Sequence, residues 1–221
     1  PLRVLFSGRG EPFLHPVILD LVAEARTSGV RTSVNTNLTV LDPPSAADLA
    51  EKGPDDLRVS MDGDDAASYL RMRGIDAFGK VAAHLERIRE ARRAAHTKRP
   101  PVRFNTVVAR GNLASLPGIV RLAARHGVEA VYFILPFPWG ADPARERDLV
   151  RASDREDFRK ALGEAGREAR RKGIRTDAPR LLRTLDRWFD AAVEGKDRRR
   201  MPLCRKPWFS LYLDARGEVL A

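Results

Sequence analysis

The stretch Ser7-Gly8-Arg9-Gly10-Glu11-Pro12 follows a short apolar run, Arg3-Val4-Leu5-Phe6, and ends it abruptly. Glycines, an acid and a proline directly after a β-like run read as a strand that breaks into a tight turn. Downstream, Leu14, Val17, Ile18, Leu21, Val22 and Ala25 recur at the spacing of one helical face, which predicts a helix over 14–28 with Gly29 as its C-cap. A β-branched segment, Val30 to Thr36, then predicts a second strand. One strand, a polar glycine turn, a helix and another strand make one β/α unit, and the rest of the chain repeats that rhythm.

Ser45 to Lys52 reads as a short helix capped by Ser45 and stopped by Gly53, and Leu57 to Met61 as a third strand. A polar loop leads to a long helix, Ala77 to Ala95, with Val81, Leu85 and Ile88 facing inward. Val102–Val108 and Val128–Leu135 are further strands around a helix, Ser115–His126, that carries Pro117 in its first turn. A Pro/Gly/Trp loop spans 136–143, and Ser153-Asp-Arg-Glu156 has the form of a capping box opening a polar helix. Ile174–Asp177 is a sixth strand, with a helix near 179–193 after it. The tail predicts two short strands, 209–213 and 218–220. Regular strand–helix alternation is the signature of an α/β fold: a parallel sheet with right-handed crossovers, open or closed into a barrel.

Composition narrows the class. A chain of 221 residues with 43% hydrophobic and 32% charged residues buries a real core in one large domain, with or without a small appendage. Its apolar runs are far shorter than the roughly 20 residues a bilayer-spanning helix needs. No signal peptide is visible, and an opening on Pro1 rather than Met reads as a fragment. The net charge of +10 raises a nucleic-acid partner, but segments such as Glu86-Arg-Ile-Arg-Glu-Ala-Arg-Arg93 interleave acids with bases and lack aromatic stacking partners. That argues for solvated helix faces. The single cysteine, Cys204, excludes an internal disulfide, suits a reducing cytoplasm, and cannot alone hold an iron–sulfur cluster.

In a sheet of this kind ligands bind at the C-terminal ends of the strands. Those ends read Ser7-Gly-Arg-Gly-Glu-Pro12, Asn35-Thr-Asn37, Ser60-Met-Asp-Gly63, Arg110-Gly-Asn112 and Pro136. Glycines admit close backbone approach, while Glu, Asn, Ser and Asp offer directed hydrogen bonds. The set suits a ligand with an ammonium, a carboxylate and ribose hydroxyls. Each residue taken singly also fits an ordinary turn or a buried hydroxyl. Their shared placement favours the ligand.

Gly8-Arg9-Gly10-Glu11-Pro12-Phe13-Leu14-His15-Pro16 resembles the Gly-Gly-Glu-Pro motif of radical S-adenosylmethionine (radical SAM) enzymes. Ser33–Asn37, Leu57–Gly63, Arg73-Gly74, Asn105–Val108 with Asn112, and Gly127–Phe133 follow in that family's order over nearly all of 1–135. The resemblance implies a partial (β/α)6 TIM-like barrel over 1–195, an S-adenosylmethionine (AdoMet) cofactor, and a 4Fe-4S cluster. By that resemblance Gly10, Glu11 and Pro12 form the turn that holds the methionine ammonium. Asn35 and Asn37 contact the ribose or methionyl part, and Ser60 and Arg73 address the carboxylate, with Asp62 nearby. It names no acid, base or nucleophile, because a 5′-deoxyadenosyl radical performs the hydrogen abstraction.

Cys204-x-x-Pro207-Trp208, with Asp214 and Gly217-x-Val219, resembles the start of a SPASM extension over 196–221, in which Cys204 would ligate an auxiliary 4Fe-4S cluster. The family likeness further implies a peptide or small-molecule substrate, an electron donor such as flavodoxin or ferredoxin, and a cytoplasmic setting without membrane. Two departures stand out. Arg9 replaces a glycine, and the Cys-x3-Cys-x2-Cys motif that binds the catalytic cluster is expected upstream of Pro1. Without that motif the alternative is a degenerate, non-catalytic basic barrel binding an acidic partner or RNA. Trp139, Phe137 and Tyr132 are candidates to line a substrate pocket, although packing is their commoner role.

Overall fold

The computed structural model describes residues 2–8, 10–136 and 150–193, together with strands at 212–213 and 219–220. Six parallel strands form one sheet in strict chain order: β1 (Arg3–Phe6), β2 (Arg31–Thr36), β3 (Asp56–Ser60), β4 (Val102–Val107), β5 (Ala130–Ile134) and β6 (Arg175–Thr176). The helices are α1 (Ile18–Thr27), α2 (Pro43–Lys52), α3 (Ala66–Arg73), α4 (Phe78–Ala94), α5 (Leu116–Arg125), α6 (Arg155–Lys172) and α7 (Ala178–Trp188). Crossovers of one hand between successive strands put these helices on a single face, so the sheet curls into a partial barrel.

Register separates the two faces. Phe6, Val34, Leu57 and Val102 align across four strands, and Val59, Phe104 and Val131 form the next row. Apart from the half-buried Phe6 these are buried beneath the helices, each contributing about 1.5–3 kcal/mol of hydrophobic stabilisation. The alternate positions, Ser33, Asn35, Arg58, Ser60, Arg103, Asn105 and Tyr132, line the concave side. Parallel strands buried on both faces read as unbroken apolar runs; these alternate instead, because their concave face is polar.

Several expectations are corrected. The first helix does not begin at Leu14: Pro12–Leu14 is a 3-10 turn, and α1 starts after Pro16. Its buried stripe is Ile18, Leu19 and Val22, whereas Leu14, Val17 and Leu21 are exposed. Asp42, not Ser45, caps α2, accepting the Ser45 N–H at 2.9 Å. The polar loop after β3 contains a full helix, α3, opened by a reciprocal capping box between Asp65 and Ser68. Its weak amphipathicity hid it. The expected box at Ser153–Glu156 is replaced by Asp154, which accepts the Arg151 N–H at 2.8 Å.

In the tail, β7 (Tyr212–Leu213) and β8 (Val219–Leu220) pair antiparallel within the two predicted strands. Cys204, Phe137, Trp139 and Arg9 lie outside the described residues.

Candidate functional site

Glu11 joins the ends of β1 and β2. Pro12 starts a 3-10 turn, and Glu11 caps it by accepting the Phe13 N–H at 3.2 Å. The same Oε1 accepts the Thr36 hydroxyl at 2.6 Å, and Oε2 accepts the Asn37 N–H at 2.7 Å. A carboxylate offers about four lone-pair sites, so three donors of the chain leave it room for one more. A Cβ added to Gly8 or Gly10 would meet nothing within 4 Å, which leaves the backbone of this turn open to a close-approaching ligand.

The β2 end is held from behind. Asn37 closes a side-chain turn, its Oδ1 accepting the Thr39 N–H at 2.8 Å and the Thr39 hydroxyl at 2.6 Å. Leu38 is fully buried at φ +54°, a conformation that an L-residue holds only when its surroundings impose it. They do: its N–H bonds the Thr36 hydroxyl oxygen at 2.8 Å, and its carbonyl lies 2.8 Å from Nδ1 of buried His84 on α4. In the Nδ1–H tautomer His84 donates this bond, so α4 supports the turn whose N–H grips Glu11. Asn35 donates to Ser7 Oγ at 3.1 Å, while its Oδ1 is buried without a partner.

At the β3 end Asp62 is the hub. Its Oδ1 accepts the Val107 N–H at 2.7 Å, its Oδ2 pairs with Arg73 Nη1 at 3.1 Å, and its carbonyl accepts from Asn112 Nδ2 at 2.9 Å. Burial pushes the Asp62 carboxyl above its ordinary range, against the opposing pull of the Val107 N–H and Arg73. Gly63 makes the corner possible: a Cβ there would sit 2.3 Å from the Tyr69 nitrogen, so only glycine lets α3 start this close. One turn along α3 from Arg73, the Tyr69 hydroxyl is buried and unpartnered. Burial raises its pKa, and the charges of Arg73, Asp62 and Glu11 all act on it. The β1 and β3 corners are therefore near enough for Glu11 to act electrostatically on Tyr69.

Gly10, Glu11, Pro12, Asn35, Asn37, Ser60, Asp62 and Arg73 thus lie on or beside one rim, the C-terminal ends of β1 to β3. Ser60 stands beside Asn105 on the concave face. Tyr132 lies on that face too, with the Arg103 guanidinium 5.1 Å from its ring centroid. Thr36, Tyr69 and His84 were not singled out from the sequence. Thr36 stands between the two asparagines, and His84 shares the inward stripe of Val81, Leu85 and Ile88, so both carried a signal. Tyr69 carried none once its helix was missed.

Among the described residues no three His, Cys, Asp or Glu side chains gather as metal ligands, and no helix is long and apolar enough to cross a membrane. A cleft of about 240 Å³ lies at the opposite, N-terminal ends of the strands, lined by Arg3, Arg31, Asp56, Arg103 and Arg175 among others.

No family model matches the chain. It is 30% identical over 149 residues to a tungsten-containing aldehyde ferredoxin oxidoreductase cofactor-modifying protein of Pyrococcus furiosus, covering 66% of this chain and 41% of that one. With the AdoMet-dependent heme synthase of Methanosarcina barkeri it shares 29% over 185 residues, 82% of this chain and 50% of the relative. A PqqA peptide cyclase of Streptomyces rochei is 33% identical over 130 residues, 59% of this chain and 34% of that protein. The chain thus spans half or less of the length of these relatives. Among solved structures, anSMEcpe with bound AdoMet and Cp18Cys peptide superposes with a TM-score of 0.60 at 18% identity, over 88% of this chain and 53% of that one. Archaeal TYW1 gives 0.53 at 19%, over 76% and 50%. The chain has the partial-barrel fold of the radical SAM proteins, and its relatives in sequence are enzymes of that family.

Proposed function

We propose that this chain is the AdoMet-binding part of a radical SAM enzyme. The observation that carries the reading is the rim. An open glycine turn, a carboxylate with spare acceptor capacity, a buried unpartnered amide oxygen on Asn35 and a half-buried arginine stand at or beside the C-terminal ends of β1 to β3. These groups fit AdoMet by chemistry. The carboxylate of Glu11 and the backbone at Gly10 and Pro12 suit its ammonium through a charge-assisted hydrogen bond. Asn35 and Asn37 suit its ribose or methionyl part. Ser60 and Arg73 suit its carboxylate, with Asp62 behind Arg73. In such enzymes AdoMet supplies a 5′-deoxyadenosyl radical that takes a hydrogen atom from substrate. This chain's part is to hold the amino-acid end of AdoMet.

The 4Fe-4S cluster is different. One cysteine cannot furnish a three-thiolate site, and the described residues converge on no metal. Its ligands would lie outside them. A domain boundary near residue 196, a SPASM-type tail with Cys204 on an auxiliary cluster, and a flavodoxin- or ferredoxin-like electron donor belong to the same proposal. A peptide substrate is supported by relatives named for peptide cyclisation and by a fold neighbour holding a peptide.

The test uses the protein as its gene encodes it, reconstituted with iron and sulfide. Submicromolar to micromolar AdoMet binding, and 5′-deoxyadenosine released on reduction with dithionite, are expected. A protein that binds no AdoMet would sink the reading.

A further inference from the structure

Arg73 ends α3, an eight-residue helix, and its side chain is only 27% exposed. A guanidinium presents five N–H donors in a fixed fork, and among the described residues its bond to Asp62 runs through Nη1. Among the described residues no other carboxylate pairs with Arg73, so its fork keeps donors for a second, planar anion. Asp62 is not free to move. Its other oxygen holds the Val107 N–H, its carbonyl holds Asn112, and its side chain is 5% exposed. The glycine after it is the residue that lets α3, and hence Arg73, stand beside it. The Tyr69 hydroxyl below Arg73, buried and unpaired, feels both this pair and Glu11.

We infer that Asp62 is a positioning residue that aims the open edge of the Arg73 guanidinium at the carboxylate of bound AdoMet. The inference rests on the AdoMet-binding reading above and deepens it. A long arginine side chain on a helix end samples many rotamers, and a carboxylate locked to β4 removes that freedom before the ligand arrives. Two carboxylates then share one guanidinium, the protein's on one edge and the ligand's on the other. Asp62 itself never touches the ligand.

The experiment compares AdoMet with decarboxylated AdoMet, which keeps the sulfonium, ribose and amine but lacks the carboxylate. Asp62→Asn preserves the shape and the acceptor for Val107 while losing the charge that holds Arg73. Binding to the reconstituted protein is measured by equilibrium dialysis. AdoMet is expected to bind about 10- to 100-fold more weakly, while decarboxylated AdoMet changes less than about 3-fold. Equal weakening of both ligands, the mark of a merely structural pair, overturns the inference, as does no weakening at all.

Arg73→Gln provides a second variant at a more exposed position. It must show the same carboxylate-selective loss, and adding Asp62→Asn to it must change AdoMet affinity by less than about 3-fold. A non-selective Arg73→Gln, or a second loss in the double variant, overturns the inference while leaving AdoMet binding itself intact. Absence of AdoMet binding by the unsubstituted protein fails the functional reading instead, so the two failures are separable.

Discussion

The two ends of this sheet handle buried carboxylates in opposite ways. At the N-terminal ends Asp56 is matched by arginines: Arg58 at 2.6 Å, Arg103 in direct contact, and the Ser33 hydroxyl at 3.4 Å. Its neighbour Asp55 accepts the Thr32 N–H at 2.9 Å and Arg99 at 2.7 Å. At the C-terminal ends no arginine among the described residues pairs with Glu11, which is held by one hydroxyl and two backbone N–H groups. Among the described residues Asp62 pairs with one arginine, Arg73, through one nitrogen. One end is neutralised by ion pairs. The other spends backbone donors and leaves acceptor capacity on Glu11 and donors on Arg73, which the proposed binding rim would use.

The pKa shifts follow the same division. Burial pushes Asp55 up, but the Thr32 N–H and Arg99 outweigh it, and its pKa falls below the ordinary 3.8. At Asp62 burial wins and the pKa rises above it. The difference teaches that ionised carboxylates are favoured at the N-terminal end and that the ionised Asp62 carries a cost at the proposed rim.

Removing Asp56 should have the largest effect. Asp56→Ala leaves Arg58 and Arg103 unpaired in a mostly buried place and should destabilise folding by about 3–5 kcal/mol, read by urea denaturation. AdoMet affinity of the folded fraction should change less than about 2-fold. A large loss of affinity would blur the distinction between the two ends. Glu11→Ala is the counterpart on the rim. It orphans the Thr36 hydroxyl and two N–H groups, and should cost about 2–3 kcal/mol of AdoMet binding, measured by dialysis. Wild-type affinity in that variant would show the turn to be structural only.

His84→Leu is the next step down. It leaves the Leu38 carbonyl without its donor and should cost about 1–3 kcal/mol of stability, with weaker AdoMet binding as the Glu11 clamp loosens. His84→Asn, which can return a donor, should recover part of both. Arg99→Ala removes a half-exposed pair with Asp55 and should cost about 0.5 kcal/mol or less, vanishing in 1 M salt.

Acid sharpens the contrast without a mutation. Asp55, with its lowered pKa, contributes stability that is present above 3.8 and is lost as the pH falls through its folded value. Asp62, with its raised pKa, works in reverse. Its ionisation opposes folding, so the native state regains that cost as the pH falls through the folded value towards 3.8. Carboxyl-carbon NMR should show Asp62 protonating at a higher pH than Asp55. Coincident titrations would mean that the two ends do not differ electrostatically.

Much of the rim was legible. Gly10, Glu11, Asn37 and Asp62 follow strand ends and Asn35 and Ser60 lie in the last positions of theirs, and strand ends are readable because β-branched runs stop at glycine, asparagine or aspartate. What escaped was whatever depended on partners far along the chain. His84 reaches Leu38 across 46 residues, and Val107 reaches Asp62 across 45. The helix α3 escaped for a local reason: Ala66-Ala-Ser-Tyr-Leu-Arg-Met-Arg73 has little apolar periodicity, and its capping box is Asp65 with Ser68 rather than the usual Ser/Thr with Glu. The face of α1 was misassigned because Leu14, Val17 and Leu21 share its apolar pattern with the residues that are buried.

Local chemistry in the sequence therefore determined the alternation of strands and helices, their parallel order, and the strand ends at which polar groups gather. Periodicity and turn residues act over a few positions, which is the range a sequence displays directly. Only the tertiary structure decided how those groups divide their bonds: that Glu11 is gripped by Thr36 and Asn37, and that Asp62 holds Arg73 by one nitrogen. Hydrogen bonds and burial depend on which distant donors arrive, and only the assembled sheet brings Val107, His84 and Asn112 to the rim.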